Sequence, residues 1–488
     1  MELTANSSCN QTEQTQSVLS GINVQTAPVH VGDAEYNELE GDDIVNVTVG
    51  VFFDGTLNNR RNTQARLEYE KKQAGRSYNK KLANTYDTWY TFKKSGSYDN
   101  DFSNVSRMEP AYEKFEEEGN IQFSLYVEGI GTEDLEDDSG WGAGTGKGIT
   151  GVKGKVKKAC VRIAKLLEEH LVKKINRLQI DVYGFSRGAA AARNFIYEIN
   201  QKKGDPKEVY DGTIYQYLGD TYKEDGGVLG EELAGKGITT RLKTVVRFAG
   251  LYDTVASFGL VHFNDTKQLH LDAVSKAGFT FQLAAADEHR ANFRLTNIAS
   301  AGKGKEKFLP GVHSDIGGGY TDKTDEEVTL DYTVYTLRAL EEQRLKLIEQ
   351  GWYLPGEITV DEFWGTLVGK RKQLSNKYSH IPLHVMVEYS QEKKVRYDFS
   401  QITNKYNIVN EKGKKVKLTD VKARIDAYIK GNKGPITFNT PDDKTMLKHL
   451  RNEYFHFSAH YNNRVAGVIP AMKPNRVDGE RKRIIQNG

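Results

Sequence analysis

Apolar positions along the chain fall into short runs separated by amphipathic or polar stretches. From residue 44, Val45, Val47, Val49, Val51 and Phe53 alternate with smaller or polar residues, and Phe52 extends the run. A two-residue period of this kind predicts a strand, ending at Asp54-Gly55-Thr56. Residues 60–100 are polar and rich in Lys and Tyr, and read as a surface excursion. IQFSLYV over 121–127 predicts a second strand, closed by Glu128-Gly129-Ile130-Gly131, after which an acidic, glycine-rich loop runs over 132–151. Val156, Ala159, Ile163, Leu167, Leu171 and Ile175 recur near helical spacing. LQIDVY over 178–183 is strand-like and runs straight into Gly184-Phe185-Ser186-Arg187-Gly188, while 189–196 is helix-forming. LKTVVRF over 242–248 reads as another strand, ending before Ala249-Gly250-Leu251-Tyr252-Asp253. Lys307-Phe308-Leu309 leads into a turn at Pro310-Gly311-Val312-His313-Ser314-Asp315. Residues 325–350 read as a helix with acids in its first turn and Gly351 as its stop. Strands alternating with helices predict an α/β fold, a mostly parallel sheet with helices on both faces. In such sheets the chemistry sits at the carboxyl ends of the strands.

Composition narrows this picture. No apolar run approaches the ~18–20 residues of a membrane span. The first Lys or Arg is Arg60, so a secretory signal with a basic start is not visible. The expectation is a soluble protein made in the cytoplasm, whose export needs no cleavable peptide. Residues 1–43, polar and acidic, read as a mobile or partner-docking extension. A net charge of +2 argues against a globally basic nucleic-acid binder. Two cysteines, Cys9 and Cys160, support neither a disulfide framework nor a four-thiolate zinc site. Glycine is abundant and proline scarce, 46 against 10. Many of those glycines stand at strand ends (Gly55, Gly129, Gly184, Gly188, Gly250, Gly311), as tight turns require, and a second cluster over 140–154 reads as a flexible loop.

The sharpest chemical signal is G-F-S-R-G over 184–188, with a strand before it and a helix after it. Gly184 and Gly188 flank Ser186 because a sharp strand-to-helix turn leaves no room for a Cβ on either side. Such a turn raises Ser186 Oγ above the sheet edge and aims the Arg187 amide at a developing oxyanion. A serine nucleophile needs a base and a group to orient it, and this architecture orders them Ser, then Asp or Glu, then His. His380, His384, His449, His456 and His460 compete for the base, but only His313 follows a short apolar run in a glycine-flanked turn. Asp253, after the 242–248 strand, is the orienting carboxylate, with Asp315 and Asp287 as runners-up. Asp315, two residues from His313, is better placed to anchor the turn. A second oxyanion donor belongs in the loop after the first strand, at the Gly55 or Thr56 amide, with Asp54 bracing that loop; a plain Asx-type turn is the competing reading.

Other motifs fall short. Around Lys147 the phosphate-loop pattern fails, because Trp141 stands where its first Gly belongs and Gly148 follows the lysine. His456 and His460 have metal-pair spacing, but Phe457 replaces the glutamate of H-E-x-x-H. Residues 391–434 carry twelve Lys/Arg against five Asp/Glu, which reads first as solvated surface and second as a contact for anionic lipid headgroups.

Five ordered motifs, FFDGTLNN (52–59), YVEGIGT (126–132), VYGFSRGAAAAR (182–193), LYDTVASFG (251–259) and PGVHSDIGGGY (310–320), together resemble one family. It is the α/β-hydrolase family that includes the first family of type VI secretion lipase effectors. Weaker echoes lie in YFHFSAHY (454–461) and NRVDGERKRIIQN (475–487). The resemblance implies an α/β-hydrolase-like catalytic domain over 44–330 and a mainly helical accessory region over 331–488. That region would carry the basic insert and a C-terminal segment packing back on the core. It further implies an antibacterial phospholipase of the A type, injected into a rival's periplasm, that cleaves acyl esters of membrane glycerophospholipids. Its Ser, Asp and His would be Ser186, Asp253 and His313, without metal or cofactor. Its partners would be membrane phospholipid, a secretion spike or associated delivery protein and a cognate immunity protein, and not nucleic acid. Where the family often has a hydrophobic helix after the GGGY turn, this chain has the charged LRALEEQRLKLIEQ. A general serine esterase or thioesterase, and a binding module with a decayed triad, are the competing functions.

Overall fold

The alternation in the first strand splits the interior in two. In the computed structural model, Val47, Val49, Val51 and Phe53 of strand β1 (Ile44–Phe53) enter one apolar core, while Phe52 enters another on the opposite face. The structure describes residues 44–92, 96–146, 148–207, 209–210, 215–216, 220–256, 266–333, 336–462, 464–465, 469–470 and 472–488. The extension expected over 1–43 lies outside them.

Among the described residues the main sheet has eight strands, seven of them in one path: β1, β2 (Phe115–Glu117), β3 (Asn120–Val127), β4 (Lys174–Phe185), β5 (Val245–Tyr252), β6 (Thr280–Ala285) and β7 (Gly304–Leu309). They lie in the order β7-β6-β5-β4-β1-β3-β2, and the short Thr239–Thr240 strand pairs with the start of β4. The pairs β1–β3, β4–β5, β5–β6 and β6–β7 are parallel, and β2–β3 is antiparallel. Helices Val152–Glu169 and Arg187–Glu198 cover one face through Val156, Ile163, Leu167, Phe195 and Ile196. Helices Asn104–Met108 and His380–Glu392 cover the other through Val105, Met108, Ile381 and Met386. Each fully buried Val or Leu removed from water contributes about 1.5–3 kcal/mol. From β1 the chain turns to β3 on one side, and then to β4 on the other. The carboxyl ends of β1 and β4 therefore flank the switch point where such sheets open a crevice.

Several local expectations change. β5 runs on to Tyr252 rather than stopping before Ala249, and Leu171 and Ile175 fall outside the Val152–Glu169 helix, Ile175 lying in β4. The polar stretch after residue 60 forms two helices, Arg60–Gln73 and Lys80–Phe92. The first is capped by Asn59, whose side chain accepts from the Arg61 and Asn62 amides. Its buried face is itself polar, with Asn62 donating to Ser97 Oγ at 2.8 Å and Arg66 to the Tyr98 carbonyl at 2.9 Å, so hydrophobic periodicity could not reveal it. Within the segment 325–350, Thr324–Tyr332 is a strand, paired antiparallel with Thr366–Leu374, and only Leu337–Glu349 is helical. The buried Val328 and Leu330 follow strand spacing, and acidic neighbours masked it. In the glycine-rich stretch after 139, Gly140–Thr145 is a short helix capped by the Ser139 side chain rather than a plain loop.

Among the described residues beyond 330, four helices follow Leu337–Glu349: His380–Glu392, Phe399–Lys405, Leu418–Ile429 and Pro441–Glu453. The basic stretch 391–434 crosses three of them. Several of its cations are paired internally: Arg396 with Glu113, Lys422 with Glu388 and Arg424 with Asp443. The last strand, Ile485–Gln486, pairs in parallel with Leu295–Thr296 near the end of β6.

Candidate active site

Ser186 occupies the turn between β4 and the Arg187–Glu198 helix with φ 59° and ψ −126°. A non-glycine residue at positive φ is strained, and such strain clusters at functional turns. The turn is held by its neighbours: the Ser186 amide donates to the Tyr252 carbonyl at 3.0 Å and the Val255 amide to the Ser186 carbonyl at 3.3 Å. Gly188 lets the helix start press on the end of β1, since a Cβ there would stand 2.2 Å from the Asp54 carbonyl oxygen. At Gly184 a Cβ would stand 2.4 Å from the Gly188 carbonyl oxygen.

The turn after β5 carries Asp253, also at positive φ (47°), and the turn after β7 carries His313. These two meet: His313 Nδ1 lies 2.6 Å from Asp253 Oδ2, with Asp253 fully buried and His313 4% exposed. The imidazole sits against the Phe185 ring, beside Ser186, with ring centroids 4.6 Å apart, and edge-on to Phe293 at 5.0 Å. Burial lowers the imidazole's pKa, and the Asp253 hydrogen bond only partly restores it, which favours the neutral form of His313. Burial would raise the Asp253 carboxyl, but the Arg483 guanidinium and the His313 hydrogen bond outweigh it and hold the group below its ordinary value.

Of the runners-up, Asp315 accepts from the Val312 amide at 3.0 Å and lies 3.0 Å from His456 Nδ1. Asp287 accepts from the Gly311 amide at 2.8 Å and from Arg451 at 2.6 Å. His380 and His384 are buried in their helix with ring nitrogens 3.0 and 2.8 Å from the Asn407 and Tyr406 carbonyls.

The loop after β1 lies across the same crevice. Asp54 accepts from Tyr126 Oη at 2.6 Å and from the Gly55 amide at 2.7 Å. The Gly55 N–H is thereby committed, whereas among the described residues the Thr56 and Arg187 amides have no hydrogen-bond acceptor. The loop is laced to the EGIGT turn, with Gly129 N donating to Asn58 O at 2.8 Å and Leu57 N to Ile130 O at 3.1 Å.

Four side chains escaped the sequence reading. Arg187 Nε donates to Thr56 Oγ1 at 2.7 Å, and its Nη2 to the Ala143 carbonyl. Glu288 and Arg290 form a buried bidentate pair, and Glu288 also accepts from the His313 amide at 3.2 Å. Arg483 bonds both oxygens of Asp253. Of these, Arg187 lay within one of the five ordered motifs and Arg483 within the weaker echo over 475–487, but nothing local to its sequence connects Arg483 with residue 253.

A family profile described as the catalytic domain of the Tle1-like phospholipase effectors of the type VI secretion system matches residues 80–343, more than half of the chain. No functionally curated protein matches it. A solved structure of a Tle1 effector bound to the VgrG spike of the type VI secretion system superposes with TM-score 0.62 at 24% identity, covering 92% of this chain and 95% of that one. That likeness supports the mostly parallel α/β fold. An uncharacterized protein from Pseudomonas aeruginosa is 18% identical over 82% of this chain and 52% of its own, and its TM-score of 0.39 is too low to carry an argument. On the profile match, the chain belongs to the Tle1-like phospholipase effectors of the type VI secretion system.

Proposed function

We propose that the chain is an antibacterial phospholipase of the A type that works through Ser186, His313 and Asp253. The observation carrying this reading is the 2.6 Å Asp253–His313 contact beside a nucleophile-elbow serine at φ 59°. Ser186 Oγ attacks an acyl carbonyl of a glycerophospholipid and passes its proton to His313 Nε2. Asp253 holds the imidazole by Nδ1 and stabilises the imidazolium. The oxyanion is received by the Arg187 and Thr56 amides. The intermediate collapses, and the glycerol oxygen leaves with the proton from His313. Water, activated by the same imidazole, then cleaves the acyl-enzyme to release a fatty acid, leaving a lysophospholipid as the other product.

Delivery on a secretion spike, action in the periplasm of a target cell and neutralisation by an immunity protein complete the proposal. The family membership and the spike-bound Tle1 effector support it. Among the described residues, no helix is long and apolar enough to cross a membrane. The test is hydrolysis of phosphatidylethanolamine–phosphatidylglycerol vesicles by wild type and Ser186→Ala. Release of fatty acid by wild type alone is the expected result. Equal release by both would overturn the serine mechanism, and hydrolysis of a short soluble ester but not of vesicles would favour a general esterase.

A further inference from the structure

The carboxylate of Asp253 is held from three directions. The Ala285 amide donates to Oδ1 at 2.8 Å, and His313 Nδ1 lies 2.6 Å from Oδ2. From the third side comes Arg483, with Nη1 2.6 Å from Oδ1 and Nη2 2.9 Å from Oδ2. The guanidinium is itself seated, donating to the Ala285 carbonyl at 2.8 Å and the Phe293 carbonyl at 3.3 Å. Its side chain is 6% exposed and that of Asp253 fully buried, so water does not screen the pair.

Arg483 reaches this place through the backbone next to it. The Leu295 amide donates to the Ile484 carbonyl at 2.9 Å and the Asn297 amide to the Gln486 carbonyl at 3.0 Å. A residue 230 positions from Asp253 in sequence is thus inserted beside it by a two-residue strand. Two parallel N–H donors on one carboxylate fix the plane of that carboxylate, which a single point charge does not do. With the plane fixed, a lone pair of Oδ2 remains aimed at His313 Nδ1.

The same cation also alters the charge that the imidazole meets. Around His313 stand Asp253 from the turn after β5, Glu288 and Arg290 from the turn after β6, and Asp315 on its own turn with His456 opposite. Glu288 pairs with Arg290, and Asp315 lies against His456. Arg483 balances the Asp253 anion, so the imidazole faces a paired carboxylate rather than a bare one.

We infer that Arg483 is a positioning residue of the active site: it locks the plane of the Asp253 carboxylate onto His313 and balances the charge of that carboxylate. Its effect on rate rests on the proposed serine mechanism, while its effect on the titration of His313 does not. The experiment uses the full chain with carbon-13-labelled histidine, as wild type, Arg483→Met and Arg483→Lys. The His313 resonance, assigned by its loss in His313→Gln, is followed against pH by NMR. In parallel, kcat and KM are measured on a short soluble ester.

In Arg483→Met the His313 midpoint should move up by about one pH unit, as removal of a cation within a few ångströms predicts. Its kcat should fall about tenfold to a hundredfold with KM unchanged, as loss of orientation predicts. Arg483→Lys should restore the midpoint and only part of kcat, because it returns the charge without the fork. A wild-type midpoint in a folded Arg483→Met protein would overturn the inference, as would full recovery of kcat in Arg483→Lys. If Arg483→Met does not fold, the kcat and midpoint of Arg483→Lys decide. Failure of a fluorophosphonate to label Ser186 in wild type would sink the serine mechanism separately, and the His313 titration would still judge Arg483.

Discussion

Arg187 Nε donates to Thr56 Oγ1 at 2.7 Å, so the residue that follows Ser186 also grips the loop after the first strand. One residue thereby offers its amide on one side of the proposed oxyanion site and braces the other side with its guanidinium. Thr56→Val, which keeps the amide and removes the hydroxyl, should lower kcat by about tenfold to a hundredfold, the cost of a small misplacement. Arg187→Met should do the same, and the double variant should be little worse than either alone. Steady-state kinetics of the four proteins would check this, and additive losses would separate the two roles.

The pH dependence has a definite sign. The base must be neutral, and burial places the His313 pKa below its ordinary 6.5. Asp253, held low by Arg483 and His313, stays ionised through the same range. The acid limb of kcat/KM on a soluble ester should therefore have its midpoint below pH 6.5 and fall about tenfold per unit beneath it. A midpoint above 7 would contradict this electrostatic assignment.

Behind the EGIGT turn, Lys155 Nζ lies 2.8 Å from Glu128 Oε1, with both side chains almost completely buried. Burial would raise the Glu128 pKa, but Lys155, Lys158 and Arg162 pull it down to about 2. The unfolded chain binds the extra proton between about pH 4.5 and pH 2, so this contribution is full above pH 4.5 and is lost as pH falls toward 2. Lys155→Met should destabilise the protein by about 1–3 kcal/mol, the cost of removing one buried partner, because Lys158 and Arg162 still face Glu128. Urea denaturation at pH 7 measures this, and a loss under 1 kcal/mol would count against it.

Gly188→Ala would drive a methyl group to 2.2 Å from the Asp54 carbonyl oxygen and 2.4 Å from that of Phe53. Both atoms are backbone at the end of a central strand, so little can yield. A loss of about 1–3 kcal/mol is expected, together with activity, because the displaced strand end carries the Thr56 loop. Thermal melting of Gly188→Ala beside Ser186→Ala, which should melt as wild type does, separates strain from chemistry.

Elements with strong local signals were legible before any tertiary information. The run from Val45 to Phe53 shows the period of a strand, and that strand forms. LQIDVY followed by GFSRG predicts a strand entering a sharp turn, and Ser186 takes positive φ there. Expectation failed where polar residues are buried against polar partners, as in Arg60–Gln73, and where acids disguise a strand, as in Thr324–Tyr332. Periodicity reports only the partition of apolar side chains, so both cases lie outside its reach.

By itself the sequence determined the α/β alternation, the elbow around Ser186 and the turns that end in Asp253 and His313, because each depends on residues adjacent in the chain. The tertiary structure alone decided what those turns touch. It brought Asp253 to 2.6 Å from His313 across 60 residues, committed the Gly55 amide to Asp54, and set Arg483 on the far side of the carboxylate. Contacts of that kind follow from strand order and from where the chain's last strand pairs. Those depend on the free energy of the whole packed sheet rather than on any local pattern.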